Sequence, residues 1–155
     1  MAAADAQAGS ATHADADAGT AEAHEAARVL LFSSDRSVRA AVMAAIGRRP
    51  AADLPPVAFV ETATEPATIA QADTGEFDLI ILDGEARPGG MGIARQLKDE
   101  IYECPPTLVL TARPDDAWLA TWSRADAVVP RPLDPFDLAR ASATLLRRRL
   151  AAAQG

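Results

Sequence analysis

Four short runs of mainly apolar residues, 29–32, 57–60, 79–82 and 107–110, and a fifth over 127–129, recur along the chain with helical patterns between them. Each run is apolar through its length rather than at alternate positions, which predicts strands buried on both faces. After the first run, Ser34 or Asp35 can cap a helix whose Val38, Ala41, Val42, Ala45 and Ile46 recur at helical spacing until Gly47. Pro50, Pro55 and Pro56 lead to the second run, and Thr64 then caps a short alanine-rich helix ended by Gly75.

The third run stops abruptly at Asp83 and passes through Pro88, Gly89, Gly90 and Gly92 into a helix with Ile93, Leu97 and Ile101 on one face. Pro105 and Pro106 end that helix. Beyond the fourth run, Pro114, Asp115 and Asp116 read as the first turn of a helix carrying Trp118 and Trp122 one turn apart. Asp134 and Pro135 open a final helix with Leu138, Ala141 and Leu145 inward, and Arg147, Arg148 and Arg149 near its end complement the dipole.

Strands alternating with helices, joined by short right-handed crossovers, predict a doubly wound α/β fold: a five-stranded parallel sheet with helices on both faces. Ser33, Ser34, Asp83, Thr111 and Arg131 each follow a strand. They converge on one edge of the sheet, where open α/β sheets place their sites. An aspartate there can serve as nucleophile, metal ligand or helix cap.

Composition narrows the partners. Of the net charge of -7, residues 1–27 carry -5 with no Lys or Arg, and the remaining 17 acids and 15 bases give -2. A nearly balanced folded part offers no basic face for nucleic acid. Residues 1–27 hold no large apolar side chain after Met1 and are expected to be a disordered tail, with His13 and His24 as solvated bystanders. The folded domain is expected over 28–150 and a short tail over 151–155. Cys104 is the single cysteine and no run approaches the roughly 20 residues of a membrane span, so a cytoplasmic protein without disulfides or membrane insertion is expected.

The strand ending in Asp83 with its PGGMG segment, Thr111-Ala112 after the fourth strand and Arg131-Pro132 after the fifth resemble the receiver domain of two-component response regulators. The resemblance spans residues 28–150. It implies the sheet order 2-1-3-4-5, a cis peptide at Arg131-Pro132, Asp83 as phosphoryl acceptor, and Thr111 and Arg131 as phosphate contacts. Receivers also hold Mg²⁺ with an acidic pair after strand one. Here Ser33 and Ser34 stand at those positions. Mg²⁺ is usually held by one or two carboxylates, so Asp83 alone makes a poor site and weak or absent Mg²⁺ binding is expected. Asp35 compensates only if the strand slips by one residue. Val128 replaces the switching aromatic, and the Arg131 fork can form a standing bidentate pair with an ionised Asp83.

The chain is thus identified as an atypical, stand-alone receiver that docks on another protein, with Trp118 and Trp122 as anchors, one buried and one partly exposed. The stretches FSSD, LDGEARPGGMGIARQLKDE and CPPTLVLTARPDDAWLATWSRADAVVP further resemble an actinobacterial orphan group associated with respiratory complex I. That implies an accessory or regulatory role on its cytoplasmic arm. The alternative is a phosphoswitch, with a histidine kinase or acyl phosphate modifying Asp83. An enzyme is not expected: Asp83, Gly84 and Glu85, with Asp115 and Asp116, only faintly resemble haloacid-dehalogenase phosphatases, and no lysine follows Lys98.

Overall fold

The computed structural model of the protein describes residues 26–86 and 89–154. The expectations for residues 1–25, with His13 and His24, and for Pro88 fall outside those residues; Ala27, expected in the tail, is instead buried at the start of the first strand, where it pairs with Val57. Among the described residues, β1 (Ala27–Phe32), β2 (Val57–Thr62), β3 (Leu79–Asp83), β4 (Thr107–Thr111) and β5 (Ala127–Pro130) form one sheet in the order β2-β1-β3-β4-β5. Every pairing is parallel. This is the predicted doubly wound order.

Side chains alternate across a strand, so each apolar run feeds two cores at once. Val29, Leu31, Leu79, Ile81, Leu108 and Leu110 face α1 (Arg36–Ile46) and α5 (Pro135–Gln154). Leu30, Phe32, Ile80, Leu82 and Val109 face the layer of α2 (Glu65–Ala72) and α3 (Gly90–Glu100). Each fully buried Leu or Ile contributes about 1.5–3 kcal/mol, which favours apolar residues along the runs; Thr107, buried at the start of β4, is an exception.

The caps follow local chemistry. The Asp35 carboxylate accepts the Ser37 N–H at 2.8 Å, and Gly47, at φ 67°, closes α1 with its N–H on Met43 O. Thr64 caps α2, although that helix ends at Ala72, before Gly75. Asp134 accepts the Phe136 N–H at 2.8 Å to open α5.

Two helices depart from expectation. The segment after β4 is not one helix. A 3₁₀ turn (Pro114–Trp118) runs into the five-residue α4 (Leu119–Ser123), and the positive φ of Arg124 ends it. At the other end α5 continues through Gln154, so residues 151–154 are helical and no base lies in its last turn. Arg147 instead forms a two-pronged pair with Asp53 at 2.7 and 2.8 Å. This pins α5 to the loop before β2, and the guanidinium draws the Asp53 carboxyl down to about 2. The dipole role expected for these arginines gives way to a long-range ion pair.

Candidate functional site

Parity places the centre of the site. Phe32 is in register with Leu82, so Ser33 and Asp83, one residue on, project from adjacent strands toward the α1/α5 face. Asp83 is 3% exposed. Its Oδ2 accepts the Ser33 hydroxyl at 2.8 Å, and its Oδ1 accepts both the Glu85 N–H at 2.9 Å and Arg131 Nη2 at 2.7 Å. Ser33 Oγ in turn accepts the Asp35 N–H at 3.0 Å, while Arg39 Nη1 donates to the Ser33 carbonyl at 2.6 Å and its Nε to Glu61 at 3.0 Å. The carboxylate is enclosed by donors that the fold itself supplies.

Pro130 ends β5 on the edge of the sheet, where its missing N–H costs no ladder bond, and the Arg131 N–H carries the pairing one residue further by donating to Thr111 O at 2.9 Å. The Arg131-Pro132 peptide is cis, as the family resemblance implied. The pairing with Asp83 is present, but it is a single contact rather than the bidentate fork expected. Oδ2 is already committed to Ser33, and Arg131 Nε is left buried without a partner.

Other expected positions take other partners. The buried Thr111 hydroxyl donates to Arg113 O at 3.3 Å. Ser34 is exposed, whereas Ser33 is buried. Asp35 sits at the helix start, where the Ser37 hydroxyl and N–H hold its carboxyl below the ordinary value. It is an N-cap and not a displaced metal ligand. Among the described residues no cluster of three His, Cys, Asp or Glu side chains has the arrangement of a metal site. A lone carboxylate whose two oxygens already accept three donors, one of them cationic, does not fit a hard divalent cation.

Sequence reasoning overlooked two parts of the site. One is Arg39, which lies off the apolar stripe of α1 and carries no spacing signal that would mark it. The other is the close approach behind Asp83: a Cβ on Gly84 would lie 2.5 Å from Leu110 O, and one on Gly90 would lie 2.6 Å from Asp83 O. The glycines of this segment let α3 begin directly against the strand end. Their clustering was the available signal.

Beyond β4, Trp118 is 68% exposed and Trp122 48% exposed, so the expectation that one of them is buried does not hold. The short α4 offers too little helix to turn either ring inward. Arg95 of α3 lies over the Trp122 ring at 5.1 Å and donates to Trp122 O at 3.0 Å. Val128, at the position of the switching aromatic, is half-buried on β5.

A parallel sheet ordered 2-1-3-4-5, with an aspartate at the end of its third strand and a cis Arg-Pro after its fifth, defines the receiver class. No family model matches the chain. Two uncharacterized response regulatory proteins from strains of Mycobacterium tuberculosis are each 58% identical to it over 123 residues, which cover 79% of this chain and 92% of theirs. The chain belongs to the response regulatory proteins.

Solved structures support the same fold. The signal receiver domain of a LuxO repressor protein from Vibrio parahaemolyticus superposes with a TM-score of 0.68 at 19% identity, covering 83% of this chain and 96% of that one. The chemotaxis response regulator CheY4 of Vibrio cholerae gives 0.65 at 20% identity, covering 77% and 98%. No helix among the described residues is long and apolar enough to cross a membrane.

Proposed function

We propose that this receiver acts as a protein-docking module without phosphoryl transfer, its site held in one state by its own side chains. The observation that carries the reading is the Asp83 carboxylate, which already accepts Ser33, Glu85 and the Arg131 guanidinium. Placing a phosphoryl group on a carboxylate gathers negative charge that needs a metal and a mobile cation beside it. Here the cation is engaged by the acceptor, and a neutral serine stands where the metal's acidic ligand would be. Arg131 thus supplies permanently the charge neutralisation that a switch would supply on demand.

Docking rests on the exposed rings of Trp118 and Trp122, since aromatic side chains dominate interface hot spots. The partner implied by the sequence resemblance is the cytoplasmic arm of respiratory complex I, with this chain as an accessory or regulatory subunit there. Such a protein would be peripheral to the membrane through its partner.

Two measurements test this reading. Intact mass after incubation with Mg²⁺ and a small acyl phosphate is expected to show no added phosphoryl group, for the parent and Asp83→Asn alike. A gain that only the parent shows would establish the alternative, a phosphoswitch with Asp83 as acceptor. Pull-down of solubilised complex I with the full chain is expected to succeed, and to fail for Trp118→Ala/Trp122→Ala; retention by the double variant would move the docking surface elsewhere.

A further inference from the structure

The end of the molecule opposite the site carries a concentration of arginine that neither the receiver chemistry nor the docking surface uses. Arg48 and Arg49 are exposed in the loop after α1, and Arg147, Arg148 and Arg149 lie in succession on α5. The two groups adjoin, because Arg49 Nη1 donates to Leu54 O, Leu54 packs with Leu146, and Asp53 pairs with Arg147. Arg148 approaches Asp126 at 3.7 Å, but that carboxylate already accepts Lys98 at 2.7 Å and the Thr107 N–H at 2.8 Å. Arg149 makes no ion pair among the described residues and lines a groove of about 300 Å³ with Lys98, Arg148 and Asp126. Five arginines thus gather around three carboxylates, those of Asp53, Asp126 and Glu103, the last beside Arg149 in an adjoining groove.

The opposite charge lies on the same chain. Residues 1–25 contain Asp5, Asp15, Asp17, Glu22 and Glu25 and no Lys or Arg. They join the fold at this same end: the Ala27 N–H donates to Pro56 O, and the next residue, Val57, donates to Arg48 O, both at 2.9 Å. Twenty-five residues, at no more than about 3.5 Å each, have the reach to cover the patch, and the tether keeps the acids on the same molecule as the arginines.

We propose that the acidic N-terminal segment, residues 1–25, is the occupant of this arginine surface. It rests over Arg48, Arg49, Arg148 and Arg149 as a salt-sensitive intramolecular shield against other anionic partners. The contact is electrostatic: the segment offers no apolar anchor, and exposed charge pairs weaken as the screening length shortens.

The test uses the full chain. Backbone and arginine Nε–H resonances are compared between the parent and a variant with Asp15→Asn, Asp17→Asn, Glu22→Gln and Glu25→Gln, at low salt. The expected result is shifts at Arg48, Arg49, Arg148 and Arg149, reproduced in the parent by about 0.5 M NaCl. They should be independent of protein concentration, with Asp83 and Trp122 unmoved. Superimposable spectra at those arginines would overturn the proposal. So would shifts that grow with concentration, which would mean contact between copies, or shifts centred on the tryptophans instead. Arg48→Gln/Arg49→Gln gives the reciprocal reading: the tail resonances move if these arginines hold the segment, and unchanged tail resonances count against it.

Discussion

The ends of β1 and β3 and the flank beyond β4 are made from the same kind of chain, a buried strand running out into a helix, yet they finish in opposite states. Above β1 and β3 every polar group on Asp83 is answered: a hydroxyl, a backbone N–H and a guanidinium close over it. Beyond β4 the chain passes through a 3₁₀ turn and a five-residue helix and leaves two indole rings in solvent. The contrast separates two requirements of a receiver. The first region holds a standing network around one carboxylate, while the second keeps its aromatic area exposed.

The comparison can be broken hardest at the closed region. Gly90→Ala drives a Cβ to 2.6 Å from Asp83 O and 2.9 Å from Leu82 Cβ. It is expected to cost about 2–3 kcal/mol, read as a lowered denaturant midpoint, because backbone and not a flexible side chain must yield. A full-stability Gly90→Ala would show that α3 can slide away from the strand end.

Next in size is the network itself. Arg131→Met leaves the buried Asp83 without its cation and is expected to cost about 2–3 kcal/mol. This falls below the loss for a fully sealed pair because Arg131 partly reaches solvent. Ser33→Ala removes one hydroxyl that both donates and accepts, at a cost of about 1–2 kcal/mol. The double variant should depart from the sum of the singles, since both groups act on one carboxylate. Strict additivity would mean that the carboxylate is not the shared element.

The open flank should behave in the reverse way. Trp118→Ala is expected to change stability by less than about 0.5 kcal/mol. Trp122→Ala should cost about 0.5–1 kcal/mol, through loss of the Arg95 stacking. Both should weaken partner binding about tenfold or more. A large stability loss at Trp118 would make the flank structural.

The smallest effect is at the pair that ties α5 to the β2 loop. The Asp53 carboxyl, held by Arg147 at about 2 against an ordinary 3.8, lies lower in the folded chain than in the unfolded one. Its contribution is therefore complete above about pH 4 and is lost as pH falls toward 2. Asp53→Asn should flatten the acid side of the stability profile in that window, with its small cost present in full at neutral pH and vanishing as pH falls toward 2.

The arrangement of hydrophobic runs, the helix starts at Asp35, Thr64 and Asp134, and the positions that reach the site edge were all legible in the chain, because they depend on residue spacing and on side chains capping their own backbone. Parity within a strand is equally local, but the register that sets Ser33 beside Asp83 came from the pairing of β1 with β3. What the tertiary structure decided was which partner each polar group takes. The Thr111 hydroxyl takes Arg113 O, and Arg131 makes one contact because Ser33 holds the other oxygen. Both tryptophans stay out because α4 is too short to roll them in, and Arg147 finds Asp53 across 94 residues of sequence. These outcomes depend on competition among groups that only packing brings within reach, and neither periodicity nor capping records that competition.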